Sequence, residues 1–367
     1  MRIPLFRPLV SEEAITAVTE VLRSGWLGTG PKTAQFEQHF ARYVGAPYCV
    51  AVNSCTSALG LALKLLNLPA GAEIITTPLT FISTNHAILL AGCKPLFADI
   101  QPDTGNLDVA SVRDRITERT GAIMLVHYAG YPCDLDEFYS LAQTRQIPII
   151  EDCAHACGAT YKAKRIGGHG NFHAFSFHAV KNLAVGDGGA LTVRSEQHYL
   201  RLKKLRWHGI SRDTYQRSAG SAYDWDYDVS EVSSKCQMND IHAAIALAQL
   251  PRLDEYNQCR TRIAERYRQQ LAGVPGLELL NYRPDRTSSY HLFCILAENR
   301  DGLVAKLRQH GVDVSVHYRR NDYYPMYQRC DLPNTERFWR RVLSLPMYVG
   351  LTFEQIDYIA DLIREGW

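Results

Sequence analysis

Several features are missing from this sequence, and each absence excludes a class of protein. None of its ten cysteines forms a C-x-x-C pair, so neither a zinc ribbon nor a thioredoxin-type redox motif is present and free thiols are expected. No uncharged run reaches the roughly 18 to 20 apolar residues of a membrane helix, and Ala87–Ala91 reads as part of a core helix. Met1-Arg2-Ile3-Pro4 lacks the charged-then-apolar pattern of a secretory leader, which makes the cytoplasm the expected location. An excess of one charge is missing too: 40 basic against 38 acidic residues give +2, too little to draw the chain to nucleic acid or a membrane surface. The densest basic patch, Arg201, Lys203, Lys204 and Arg206, reads as a solvated helix face. No internal repeat or low-complexity tract is visible.

What remains is an ordinary globular composition, 46% hydrophobic and 21% charged over 367 residues. That length suits either a large domain with a smaller companion or two domains of similar size. Helical spacing in Ser11–Leu22 and Phe36–Val44 is followed by a strand at Tyr48–Val52 and a helix at Thr56–Leu66. The alternation continues with strands at Glu73–Thr76, Pro95–Ala98, Ala122–Val126 and Pro148–Ile150, each separated from the next by a helical stretch. Such spacing predicts an α/β fold with a mostly parallel central sheet flanked by helices. Two further strands, Phe172–Phe177 and Ala190–Val193, flank the turn Gly186-Asp187-Gly188-Gly189. Between Arg206 and Met238 the pattern fades into a long, aromatic-rich irregular segment, of a kind that tends to be functional. Asp240–Leu250 and Tyr256–Leu271 are helical again. Beyond Gly276, strands at His291–Leu296 and Asp313–His317 and helices at Leu303–His310 and Phe353–Ile363 predict a small C-terminal α+β domain. The expected division is 1–255 and 256–367.

Three elements carry chemistry. Pro148-Ile149-Ile150-Glu151-Asp152 delivers two carboxylates to a strand end, where open α/β sheets place ligands; capping of the next helix is the plainer alternative. Val52-Asn53-Ser54-Cys55-Thr56-Ser57 joins a strand to a helix start, whose free N–H groups and positive dipole end suit a phosphate, although a simple N-cap has the same appearance. Ser176-Phe177-His178-Ala179-Val180-Lys181 leads into the Gly-Asp-Gly-Gly turn; taken alone, a surface lysine before a turn is the plainer alternative. An imine-forming lysine must be deprotonated, which partial burial and a nearby cationic site allow. Together the elements supply what a phosphorylated aldehyde cofactor needs: an anion cradle, an amine, and a carboxylate opposite a pyridine nitrogen. Phe81, at a strand end, offers either a stacking surface for that ring or ordinary core packing.

The ordered stretches SGWLGTGP, NSCTSALGLAL, TPLTFISTNHAI, VHYAGYPCDLD, IIEDCAHACGA, FSFHAVKN with GDGG, MNDIHAAIALAQL, SVHY and LSLPMY resemble the DegT family of sugar aminotransferases over almost the whole chain. These are pyridoxal 5'-phosphate enzymes of fold type I. The resemblance implies that Lys181 is the Schiff-base lysine, Asp152 the partner of the pyridine nitrogen and Phe81 the stacking aromatic. Thr56, Ser57 and Ser176 are implied to hold the phosphate, His155 to lie near the cofactor's phenolic oxygen or ring face, and His178 to sit beside the lysine. His317 and Tyr318 match positions that approach the nucleotide-sugar. Two positions depart from the pattern. Gln237 stands where relatives commonly carry an asparagine that reaches the neighbouring subunit's cofactor phosphate, and Gly-Asp-Gly-Gly replaces Gly-Glu-Gly-Gly.

By this resemblance the chain is expected to move an amino group from L-glutamate to a nucleotide-linked keto-sugar, as a homodimer with a shared active site and residues 207–238 crossing to the partner. VHYAG at Val126–Gly130 looks closer to relatives that aminate C4, with C3 as the alternative. Lys181 argues against the sugar-dehydratase branch, where histidine replaces it. Two rivals come from other classes. One is a metal site on Cys153, His155 and Cys157, and the other is a pyridoxal phosphate-binding sensor or scaffold without turnover.

Overall fold

The structure is a computed structural model describing residues 2–218 and 223–367. Its strands run, in chain order, β1 (Tyr48–Val52), β2 (Glu73–Thr76), β3 (Lys94–Phe97), β4 (Thr120–Val126), β5 (Ile149–Asp152), β6 (Thr160–Tyr161), β7 (Lys164–Arg165), β8 (Phe172–Ser176), β9 (Gly189–Val193), β10 (Leu277–Leu279), β11 (Arg286–Thr287), β12 (Phe293–Ala297) and β13 (Val342–Leu345). A seven-stranded sheet has the order β1-β9-β8-β5-β4-β2-β3. Its pairings are parallel from β8 through β5, β4 and β2 to β3, and β9 alone is reversed between β1 and β8.

Each face of this sheet carries its own core, as the two-residue period of a strand requires. Along β1, Cys49 and Ala51 point into a cluster with Phe36, Phe40 and Phe138, while Val50 and Val52 point into another with Ala58, Leu59 and Ile88. The helix Cys55–Leu65 is buried along most of its length, with Ala58, Leu59, Leu61, Ala62 and Leu63 against the sheet. The sheet is therefore covered on both sides, the arrangement that parallel strands need.

A smaller antiparallel sheet, β10-β12-β13, forms the C-terminal part. Its core holds Ile295, Leu303, Leu343, Ile356 and Ile359, and also Ile3 from the start of the chain. The helix Leu253–Leu271 spans the two parts: Leu253 packs in a core of the large sheet, whereas Ile263, Ala264, Tyr267 and Leu271 pack in the C-terminal core.

Element boundaries moved by a few residues, and two expectations need correction. Asp313–His317 is not a strand; it makes only the single bridge Ser315↔Ser344, because Ser315 is the one residue of the stretch that reaches β13. The basic run is not uniformly solvated. Arg206 is buried and paired with buried Glu37, while Arg201 reaches Glu231 at 2.8 Å. Of the segment 207–238, residues 219–222 lie outside the described residues. The rest has one short helix, Thr214–Ser218, and isolated bridges Trp207↔Lys235 and Ile210↔Val229.

Candidate active site

A cavity of about 390 Å³ opens at the C-terminal ends of β5 and β8 and beside the N-terminus of the helix Cys55–Leu65. Nine of the residues singled out from the sequence were Lys181, Asp152, His155, His178, Ser176, Thr56, Phe81, His317 and Tyr318, and all of them line it. Ser57 and Gln237 do not.

Asp152 closes β5 on the face covered by the helix Cys55–Leu65 and is 5% exposed. Its carboxylate accepts from the Thr84 hydroxyl at 2.8 Å and the Ala154 N–H at 3.0 Å. Burial pushes its pKa up despite those donors and the Lys181 charge. A buried carboxylate still short of positive charge is where a protonated ring nitrogen fits.

Lys181 lies in the loop after β8. Its N–H donates to His178 O at 2.9 Å, and the side chain of adjacent Asn182 donates to Asn257 Oδ1 and Ser289 O, each at 2.7 Å. The lysine stem is half-buried, and its amine loses enough hydration to bring its pKa down to about 8, against the pull of Asp152. The Gly-Asp-Gly-Gly turn then closes on the helix start. Gly186 has φ +98°, and a Cβ on Gly189 would stand 2.5 Å from the Ser54 carbonyl carbon and 2.7 Å from the Cys55 nitrogen. Glycine at 189 is thus required by close approach, which seats Asp187 and Gly188 on the cavity wall.

The helix start is capped by Ser54, whose Oγ accepts from the Ser57 N–H at 3.1 Å. Thr56 faces the cavity and shares a hydrogen bond of 2.6 Å with Ser83. Ser57 instead donates to Asn53 Oδ1 at 2.7 Å and lines a neighbouring groove with Thr56. Gln237 bridges to Val52 in its own chain, and its Oε1 is buried without a hydrogen-bond partner among the described residues.

The opposite wall comes from the C-terminal part. His155 Nε2 is 2.9 Å from the Tyr318 hydroxyl, and His317 Nδ1 is 2.8 Å from Ser344 Oγ. Burial, with the Lys181 charge, brings His317 down to about 4 and His155 well below its ordinary value, so both rings are neutral. Phe81 stands at the mouth, 59% exposed and 6.0 Å from the Tyr318 ring, which excludes the core-packing alternative. The cysteines of the proposed metal triple are core residues, and among the described residues no metal-competent cluster includes His155. His291, Thr84, Ser83 and Asp187 were missed from sequence. His291 had been read only as the first residue of a strand, and its one visible signal is a chemistry-bearing residue at such an end.

The family model described as DegT/DnrJ/EryC1/StrS aminotransferase matches residues 8–364. The UDP-4-amino-4-deoxy-L-arabinose–oxoglutarate aminotransferase of Shewanella sediminis is 36% identical over 380 residues, covering 99% of this chain and 97% of that protein. The sugar aminotransferase CalS13 of Micromonospora echinospora superposes with a TM-score of 0.93 at 34% identity, over 100% of both chains. Spr1654 of Streptococcus pneumoniae in its PLP form gives 0.93 at 31% identity, over 100% of this chain and 98% of that one, and it also exists in a PMP form. The chain belongs to the DegT/DnrJ/EryC1/StrS family; it is a sugar aminotransferase that works with pyridoxal phosphate.

Proposed function

We propose that this sugar aminotransferase takes the amino group of L-glutamate, releasing 2-oxoglutarate, and delivers it to C4 of a nucleotide-linked 4-keto-sugar. The observation that carries the chemistry is the pairing, in one cavity, of an amine brought down to about 8 with a buried carboxylate pushed up for want of a cation. The Shewanella relative, named for a UDP-4-amino sugar and oxoglutarate, supports the donor and the C4 position.

Pyridoxal phosphate, when bound, supplies an aldehyde that receives the amino group and a ring that takes up the electron pair left when a proton departs. Lys181 Nζ is the attachment point and, once released, the atom that takes and returns that proton. Asp152 holds the ring nitrogen protonated. Thr56, Ser176 and the helix start at Cys55 hold the phosphate, with Ser57 contributing through the helix end. Phe81 would cover the ring, His155 would lie near its phenolic oxygen or face, and His178 sits beside the lysine. His317 and Tyr318 meet the sugar.

Division at 255/256 puts the cofactor on the large domain and these last two residues on the small one. We further infer a homodimer. Trp225 at 78% and Val232 at 88% exposure are costly to leave in water and lie in the segment expected to cross, with Gln237 directed to the neighbouring subunit's cofactor phosphate. A strictly monomeric active enzyme in light-scattering measurements overturns that part.

The test of the reaction is a panel of nucleotide-linked 3-keto and 4-keto sugars with L-glutamate. Turnover of 4-keto sugars at least ten times faster supports C4; the reverse order assigns C3. A cofactor absorption band that persists with every amino donor tried identifies a binding protein without turnover.

A further inference from the structure

Lys181 has a polar neighbour that comes from neither its own loop nor the large sheet. His291, two residues before β12, places Nε2 3.2 Å from Lys181 Nζ. The residue is 2% exposed, with its ring stacked on Phe6 at 5.8 Å and 4.5 Å from the His155 ring. Flanking backbone bonds hold it there: Ser289 N–H donates to Gly130 O at 3.1 Å and Leu292 N–H to Ala129 O at 3.3 Å.

The hydrogens can be assigned from the surroundings. Burial first, then the charges of Lys181 and Arg260, hold His291 well below the usual histidine range, so the ring is neutral. Below about pH 8 the Lys181 amine is an ammonium with three N–H donors and no lone pair, so a neutral imidazole in contact with it turns a lone pair toward it. Nε2 is then the acceptor and Nδ1 carries the ring hydrogen. That Nδ1 is buried with no hydrogen-bond partner among the described residues. A tautomer that leaves one ring nitrogen unpaired in order to serve a lysine with the other is poor for stability, and such unpaired groups call for a functional reason.

We propose that His291 is a positioning residue of the transfer reaction: its Nε2 accepts a hydrogen bond from the free Lys181 amine and docks Nζ where it takes up and gives back the substrate proton. The proposal rests on the reading of Lys181 as the cofactor-bearing lysine. The proton leaves the amino-bearing carbon of the donor, the vacated electron pair passes into the cofactor ring, and the proton rides on Nζ as an ammonium until it is returned. His291 stays neutral throughout; it positions the carrier and does not exchange the proton itself.

Three variants and two readouts test this. In the cofactor-free protein, the pH midpoint of cofactor capture reports the Lys181 amine. A lone pair facing the ammonium favours the charged form, so His291→Leu moves that midpoint down by about half a unit or more, while His291→Gln, which keeps an acceptor at similar reach, leaves it near the wild-type value. In the loaded enzyme, stopped-flow loss of the cofactor band on mixing with L-glutamate slows on the order of 100-fold in His291→Leu and less than 10-fold in His291→Gln. Should the Leu variant not fold, His291→Asn, whose amide is too short to reach Nζ, takes its place. An unmoved midpoint, a Leu rate within threefold of wild type, or equal slowing in both variants overturns the proposal. Borohydride reduction with peptide mapping separates its failure from that of the underlying reading: label on a residue other than Lys181 defeats the lysine assignment whatever the His291 variants do.

Discussion

Glu151 and Asp152 are neighbours on β5 and opposites in environment. Strand alternation sends Asp152 toward the cavity and Glu151 through to the other face of the sheet. There Glu151 is fully buried, 2.9 Å from His127 Nε2, 3.0 Å from His173 Nε2 and hydrogen-bonded by Tyr139. The Cys133 N–H donates to His127 Nδ1 at 3.1 Å, which leaves the hydrogen on Nε2, directed at Glu151. Burial alone raises a carboxyl pKa, but nearby His173 and the hydrogen bond from His127 outweigh it and hold Glu151 well below the usual range. Asp152, with fewer donors, is pushed the other way. One carboxylate is saturated inside the fold; the other is left short of donors on the cavity wall.

The largest expected effect breaks the saturated member. Glu151→Ala strands two imidazoles and a phenol and is expected to destabilise the protein by about 3–5 kcal/mol, measured by denaturant unfolding. The pH dependence follows from the same shift. A folded-state pKa held below the unfolded value makes Glu151 stabilising above about 4.5, the ordinary glutamate value. That contribution is lost as pH falls below it, and the Ala variant should show a weaker acid dependence.

Asp152→Asn should show the reverse division. Stability is expected to stay within about 1 kcal/mol or to rise, because an uncompensated buried charge is removed. Turnover should fall about 100- to 1,000-fold, the range for losing one preorganised electrostatic partner. A steady-state assay alongside a thermal melt checks both. If Asp152→Asn unfolds the protein and Glu151→Ala does not, the comparison is inverted.

A smaller effect concerns Lys181, whose amine is expected to capture cofactor with a midpoint near pH 8 in the cofactor-free protein. Asp152 raises that value, so Asp152→Asn should move the midpoint below 8, read from the growth of the cofactor band across a pH series. An upward move contradicts the charge assignment.

These contrasts explain what could be read in the sequence. The alternation of strands and helices up to β5 was legible because local periodicity sets it; Asp152 and Lys181 carry only weak local marks, a strand end and a glycine turn, and the ordered motifs along the chain singled them out. That Glu151 and Asp152 face opposite sides follows from the strand period, but which one meets the cavity depends on the helix Cys55–Leu65 lying on one face. Asp313–His317 misled because its alternation of Val314 and Val316 is that of a strand, while its neighbours bring only one residue into pairing. Arg206 was misread because its partner Glu37 lies on another helix. His291 was invisible for a stronger version of that reason: its meaning is a contact between residues 110 positions apart.

The smallest effect, at Phe81, sharpens the same contrast between buried groups and groups on the cavity, now with aromatic rings. Phe138 is fully buried on the Glu151 side of the sheet, and truncation to alanine should cost about 3–5 kcal/mol of stability. Phe81, 59% exposed at the cavity mouth, buries too little to matter for folding, so Phe81→Ala should change stability by less than about 0.5 kcal/mol. Its loss should appear in binding. An aromatic contact contributes roughly 0.5–1.5 kcal/mol beyond area, so cofactor affinity should weaken about 2- to 13-fold by fluorescence titration, while Phe81→Tyr restores it. A Phe81→Ala enzyme with unchanged affinity but a lowered melting point would place this ring with Phe138 and take it out of the site.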